Sequence, residues 1–554
     1  MTRRAADLLV DCLSAHGVGR IFCVPGESYL AVLDALYERN TLQTVVCRHE
    51  GGAGLMAIAD AKITHKPGIA FVSRGPGATN ASIAVHVADQ DAVPMILFIG
   101  QVPRHELGRG AFQEVDYAKM FGDMAKMVAT IEHADRIPEV VARAFVVAQS
   151  PTPGAVVIVL PEDMLEDRTA AVLIEPMAVP RASGGSADDI ETVAAMIAKA
   201  ERPLMVIGGG LAAMPGRAAA IAASEAHGLP VAGTFKRQEL FPNAHPHYAG
   251  HLGFKIPRSQ IALYSEADLI VAVGTRLGEL STQGYTFPKS PVPNQPLIHV
   301  TDDARHIGRN FATTVGIVAD PTRFLLALAA RAANPAPPPA RNAWIAKLHE
   351  YVAGKRAWTP PVDGVLDMGA VVGNFGSRIT DDAIFITDAG NFSGWLHKHV
   401  AFNGRQRMIG SVGGAMGLAV PGAVAAGLRE PKTQVITWVG DGGVLMTGSE
   451  LATAVQYNVP VKIFISNNGS YGTIRQHQER EYKTRVHGTA LKNPDFAKWA
   501  ESFGAKGLTI RTIEEAPNIV AEALDHNGPV VVDVKTTVDH ITPGMTIAGM
   551  NSRT

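Results

Sequence analysis

The chain has 554 residues, 47% of them hydrophobic and 18% charged, with 50 basic and 52 acidic side chains. So long a chain needs about two to four domains, and this composition excludes a disordered polymer. The charges nearly cancel and no Lys/Arg block occurs, so a nucleic-acid or membrane-surface partner has no electrostatic footprint; no apolar run reaches spanning length.

The opening MTRRAADLLVDCLSAHG carries Asp7, Asp11 and His16 at helical spacing among its apolar residues. It reads as an amphipathic helix and not as a signal peptide. Cys12, Cys23 and Cys47 are too few and too scattered for a disulfide framework or a zinc site. They read as buried free thiols, and a cytoplasmic protein is expected. Short runs rich in Val, Ile and Phe then recur: RIFCV, QTVVC, IAFVS, PMILFIG, GAVVIVLP, PLMVIGGG, DLIVAVG, PLIHV, AIFITD, QVITWVG, VKIFISNN and PVVVDV. They do not alternate apolar with polar, as strands buried on both faces do not. With alanine-rich helical stretches between them, they predict an α/β chain of parallel sheets flanked by helices. RASGGSADD (Arg181 to Asp189) and NPAPPPA (Asn334 to Ala340) read as linkers. They divide the chain into units at 1–180, 188–333 and 341–554, and no internal repeat is visible.

The last unit holds a stretch that opens on Gly440-Asp441-Gly442 and closes on Asn467-Asn468, each end following an apolar run. In parallel sheets, ligands bind at the carboxyl ends of strands. Glycines let backbone N–H groups approach an anion, and an Asp carboxylate and an Asn carbonyl are hard oxygen ligands suited to magnesium, which shares itself with phosphates. The stretch therefore suggests a magnesium–diphosphate clamp, although either end alone also reads as an ordinary turn.

GDG, 24 intervening residues and NN resemble the thiamine diphosphate signature of decarboxylases, transketolases and acetolactate synthases. Elsewhere CRHEGGAGLMAIADA is similar to the RHE-x-GA segment of acetolactate synthase-like enzymes, SRGPGATN to their SGPGATN loop, GAFQEVD to AFQE, and GGAMGLAVPGA to GTMG-F-G-LPAA. On these motifs the chain is identified as a member of the acetolactate synthase-like thiamine diphosphate family. The likeness is strongest over 45–117 and 411–475.

The resemblance implies pyrimidine-binding, central and diphosphate-binding domains in that order. It makes Asp441, the Asn468 side chain and the Ser470 backbone carbonyl magnesium ligands. Gly440 to Gly443 would carry the diphosphate, with Tyr471 and Gly472 completing that segment and Asn391 a second contact. Met416 would prop the cofactor in its V shape, and the Gly414 carbonyl would accept from N4′. Glu50 would hydrogen bond N1′, so that N4′ can take the C2 proton; by itself Glu50 reads equally as a helix N-terminal acid. Phe112 and Gln113 match positions that face the reacting groups, though Gln113 alone is also an ordinary loop amide.

The implied activity is decarboxylation and carboligation of 2-oxo acids from pyruvate-like donors. The products would be acyloins or 2-hydroxy-3-oxo acids. The alternatives are a carbon–carbon lyase acting on acyloins or 2-hydroxyacyl-CoA, and a non-catalytic relic. Departures bear on the choice. NNGSYGTIRQHQEREY stands where the family reads much like NNQHLGMVVQWEDRFY, so His477 replaces a Trp and Thr473 a Met. Glu27 takes the place of the second Gly of the synthases' PGG, with Ser28 after it, at a position that is small in synthases and catalytically polar in some decarboxylases and lyases; the pair also reads as a helix start after a Pro-Gly turn. The segment GTRLGELSTQG keeps Arg276 and Glu279 but lacks the paired aspartates of flavin-binding relatives, so bound FAD is not favoured. The family completes its site between subunits, so a homodimer or homotetramer is expected, acting on a 2-oxo acid or aldehyde.

Overall fold

The computed structural model describes residues 2–39, 41–253, 256–331 and 337–551. Three six-stranded sheets, parallel throughout, dominate it. The first runs Gln43–Val46, Arg20–Cys23, Gly68–Val72, Met95–Gln101, Ala155–Pro161, Met127–Thr130. The second runs Tyr248–His251, Val231–Gly233, Pro203–Ile207, Leu269–Val273, Leu297–Thr301, Val315–Val318. The third runs Arg407–Ile409, Ile384–Thr387, Val435–Gly440, Lys462–Asn467, Val530–Lys535, Lys506–Ile510. Inner strands such as Ala155–Pro161 and Val435–Gly440 are buried at every position, because helices cover both faces.

In each sheet the chain begins on an inner strand, steps outward on one side, and then returns to the other. That reversal opens a crevice at the carboxyl ends of two neighbouring strands. In the first sheet it lies between Arg20–Cys23 and Gly68–Val72, and in the third between Ile384–Thr387 and Val435–Gly440.

The first and third sheets are joined through helices Glu50–Thr64 and Ala419–Arg429, whose facing sides are mostly alanine and glycine. Small residues let the helices approach closely; a β-carbon on Gly422 would lie 3.5 Å from that of Ala59. Arg429 forks onto Asp60 with two 2.7 Å hydrogen bonds across the seam. All three cysteines are buried and free, and the opening helix spans Ala5–Ala15.

The two linkers differ from simple spacers. Ser186 and Asp189 form a capping box, so Ala187 to Asp189 already belong to helix Ala187–Lys199. In the second, residues 334–336 lie outside the described residues. Pro339 opens helix Pro339–Ala353, where proline's fixed φ is preorganised for the first turn. That helix lies on the second sheet: Trp344 donates to the carbonyl of Pro203 at 2.9 Å, and Arg341 is buried against the carbonyls of His227 and Ala200.

Candidate active site

A cavity of about 210 Å³ opens at the reversal of the third sheet. Ala389 to Phe392 follow one strand into it, and Gly440 to Gly443 follow the next. Gly414, Met416, Asn468 and Ser470 to Ile474 also line it. The glycines are needed for close approach. A β-carbon on Gly442 would meet the Tyr471 ring at 2.4 Å, and one on Gly443 the Asp388 carboxylate at 2.6 Å. Gly414 has φ +74°, a conformation that side-chain-bearing residues rarely adopt.

Asp441 is 3% exposed. Its carboxylate accepts from the N–H groups of Gly442 (2.9 Å) and Gly469 (2.8 Å) and from Nδ2 of Asn493 (2.8 Å). Burial pushes the Asp441 carboxyl up, and these donors oppose it. The two adjacent asparagines point to opposite sides, Asn467 as the last residue of its strand and Asn468 as the first beyond it. Asn467 turns inward, donating to Asp533 at 2.9 Å and accepting from Asn493 at 2.9 Å. Asn468 turns to the cavity, and its Oδ1 accepts from Ser470 N–H at 3.0 Å. Asn493 keeps a buried Oδ1 without a partner beside this cluster. The donor set fits magnesium. It consists of one carboxylate and amide oxygens beside a glycine cradle that would share the ion with a diphosphate. Among the described residues no group of three or more His, Cys, Asp or Glu could hold a metal instead.

Asp388, at the foot of the cavity, is fully buried, and burial lifts its carboxyl to about 6 against the N–H groups of Gly417 and Ala389. Lys236 reaches across from the second sheet to the Asp388 carbonyl at 3.3 Å; burial holds its ammonium down to about 8.

Glu50, Glu27, Ser28, Phe112 and Gln113 do not line this cavity. They gather at the reversal of the first sheet. Glu50 is half-buried, its Oε2 accepting from Asn80 Nδ2 at 2.9 Å, while a β-carbon on Gly77 would lie 3.4 Å from its Oε1. Gly75 packs against Gln113, which holds φ +64°, and Phe112 beside it is 74% exposed. Ser28 is wholly buried; its hydroxyl pairs with that of Ser73 at 3.0 Å and accepts from Arg74 N–H at 3.1 Å. It locks the wall together. Glu27 is exposed and held by Arg74 at 3.1 Å, which also grips Glu162 at 2.8 Å. His477 lies on helix Gly472–Glu481, half-buried, with Arg480 at 2.8 Å from its Nδ1. The cavity takes Thr473 and Ile474 from that helix and not His477.

A larger cavity of about 760 Å³ lies between the three sheets, at the reversal of the second, and includes Gly209, Arg237, Arg276, Glu279 and Asp302. Glu239 is buried there within 3.9 Å of both Arg217 and Arg237.

The sequence reading missed Asn493 and Arg74 as site-forming residues, and it includes Asp388 only as part of a second candidate contact with Asn391. Asp388 was visible at the end of AIFITD. Asn493 stands in an Asn-Pro turn with nothing local to connect it to Asp441, and Arg74 looked like a loop residue.

Known proteins resemble this chain in sequence. Residues 3–120, 190–328 and 388–534 match the N-terminal TPP binding domain, the central domain and the C-terminal TPP binding domain of thiamine pyrophosphate (thiamine diphosphate) enzymes. The chain is 30% identical to an acetolactate synthase of Mycobacterium leprae (strain TN), over 99% of this chain and 89% of that one. It is 31% identical to the acetolactate synthase isozyme 1 large subunit of Escherichia coli (strain K12), over 96% and 93%. No helix among the described residues is long and apolar enough to cross a membrane. The chain belongs to the acetolactate synthase-like family of thiamine diphosphate-dependent enzymes.

Proposed function

We propose that the protein is a magnesium-dependent decarboxylase and carboligase of 2-oxo acids, joining a pyruvate-like donor to a second carbonyl. One observation carries this reading. Asp441 and Asn468 stand at the reversal of the third sheet and Glu50 at that of the first, and Glu50 does not line the cavity that Asp441 and Asn468 line. A second copy of the chain would supply the missing half, in a homodimer or homotetramer with closed symmetry.

Bound thiamine diphosphate would supply a nucleophilic carbon and an electron sink for decarboxylation. The chain's own residues have distinct tasks. Asp441, Asn468 and the Ser470 carbonyl would hold magnesium, and Gly440 to Gly443 would receive the diphosphate. Met416 would support the cofactor between its rings. Glu50, kept in place by Asn80, would hold a proton at the aminopyrimidine N1′. Gln113 would hydrogen bond a substrate carboxylate or oxyanion, and Phe112 would cover it from water. Flavin has no part in this reading. Arg276 and Glu279 line the second-sheet cavity without the paired aspartates of flavin-binding relatives, so bound FAD is not favoured and a colourless protein is expected.

The polar wall of Glu27 and Arg74 favours a second reading, a lyase that cleaves acyloins. The experiment supplies thiamine diphosphate, magnesium and pyruvate, and follows carbon dioxide and products with a Glu50→Gln control. Acetolactate or acetoin lost in the control supports the carboligase. Aldehyde release from acyloins, without carbon dioxide from pyruvate, supports the lyase.

A further inference from the structure

The helical run that starts at the clamp, Asp441–Thr447, Gly448–Glu450 and Leu451–Gln456, ends on a different part of the molecule. Glu450 is wholly buried and does not line the cavity. Its Oε1 accepts the backbone N–H groups of Arg48 (2.9 Å) and His49 (3.0 Å), and its Oε2 accepts from the Thr453 hydroxyl (2.6 Å). A β-carbon on Gly52 would lie 2.3 Å from Oε1, so any side chain there would displace the carboxylate. Farther along, Gln456 accepts from the Arg48 guanidinium at 2.6 Å and the Tyr457 hydroxyl from Val46 N–H at 3.0 Å.

The segment so gripped is the turn from strand Gln43–Val46 into helix Glu50–Thr64. Arg48 and His49 have left the sheet ladder and have not entered the helix, so their N–H groups need an outside acceptor. Glu450 provides it for both, immediately before Glu50. We infer that Glu450 is a positioning residue for Glu50. It acts through the Arg48 and His49 backbone and ties the acid of one half-site to the helix that begins the other. This rests on the reading of Glu50 as the group that holds the N1′ proton.

The test loads the full-length protein with thiamine diphosphate and magnesium and follows exchange of the cofactor's C2 proton with deuterium by quenched-flow NMR. No substrate is needed. Glu450→Ala is expected to slow exchange about tenfold or more, because a displacement of about 1 Å can cost on the order of a hundredfold. Cofactor affinity should change by less than about threefold, since the clamp is untouched. Glu450→Gln, whose amide oxygen can accept the same two N–H groups, should restore most of the rate. Tyr457→Phe, on the same seam but away from Glu50, should leave it unchanged. If Glu450→Ala does not fold, Gly52→Ala displaces the carboxylate from its partners and should slow exchange in the same way. Wild-type exchange in the folded Glu450→Ala or Gly52→Ala protein, with exchange lost in Glu50→Gln, overturns the inference alone. Wild-type exchange in Glu50→Gln overturns the reading beneath it as well.

Discussion

Asp91 Oδ1 accepts the backbone N–H of Gly413 at 3.0 Å, with Val412 N–H beside it at 2.7 Å. A side chain at the end of a first-sheet helix thereby fixes the loop of the third unit that carries Gly414 and Met416. Lys62 pairs with the same carboxylate and also donates to the Gly410 carbonyl at 2.8 Å.

Removing that charge should be costly. Asp91→Asn leaves the buried Lys62 ammonium without a counter-ion and is expected to destabilise the fold by about 3–5 kcal/mol. Urea unfolding at neutral pH measures it. Burial works to raise the Asp91 carboxyl, but Lys62 and the Gly413 N–H overcome it and hold it below the ordinary aspartate range. A depressed carboxyl contributes stability above its unfolded value and loses it as pH falls through the folded one. The gap between wild type and variant should therefore persist at neutral pH and narrow only in strong acid.

Asn493 holds Asp441 by one hydrogen bond. Groups that orient a metal ligand typically matter by about 10- to 100-fold in affinity. Asn493→Ala is expected to raise the magnesium concentration needed for half-maximal thiamine diphosphate binding by about tenfold, while the melting temperature shifts little. Unchanged magnesium dependence would detach Asn493 from the clamp.

Arg74 and Glu27 should behave unequally although they are partners. The Arg74 side chain is 10% exposed and serves two carboxylates, whereas that of Glu27 is 66% exposed. Arg74→Met is expected to cost about 2 kcal/mol, because it leaves Glu162 and Glu27 without their donor. Glu27→Gln should cost less than about 1 kcal/mol, as exposed ion pairs do. Thermal melts of the two variants compare them. If Glu27 takes part in proton transfer, its variant loses turnover with little loss of stability.

All but one of the strands read from sequence are inner ones, the exception being QTVVC, the edge strand Gln43–Val46 of the first sheet. RIFCV, GAVVIVLP, QVITWVG and VKIFISNN are continuous apolar runs because helices cover both faces. Met127–Thr130, Val315–Val318 and Lys506–Ile510 went unread. They are edge strands with half-exposed or exposed positions, so no unbroken apolar run marks them. The proposed clamp was legible as a motif because its two parts follow strong strands at a recognisable spacing. Its support was not: Asn493, Asp91 and Glu450 reach it or its partner half-site across large sequence separations, and no local pattern records such contacts. His477 matches the family's pocket Trp by register and stands on helix Gly472–Glu481 without lining the cavity. Register along the motif indicated which helix faces the cavity, and the helix's rotation then presents Thr473 and Ile474 there.

The most direct test of a site shared between chains is complementation. Glu50→Gln and Asp441→Ala chains, carrying different affinity tags, are co-expressed and the doubly tagged hybrid is isolated. Each parent should fail in exchange of the thiamine diphosphate C2 proton. If Glu50 of one copy serves the clamp of the other, the hybrid contains one site with both defects and one with neither, and should recover about half the wild-type exchange per dimer. A hybrid as inactive as its parents would place Glu50 and Asp441 of one chain in the same site, and would contradict the shared arrangement.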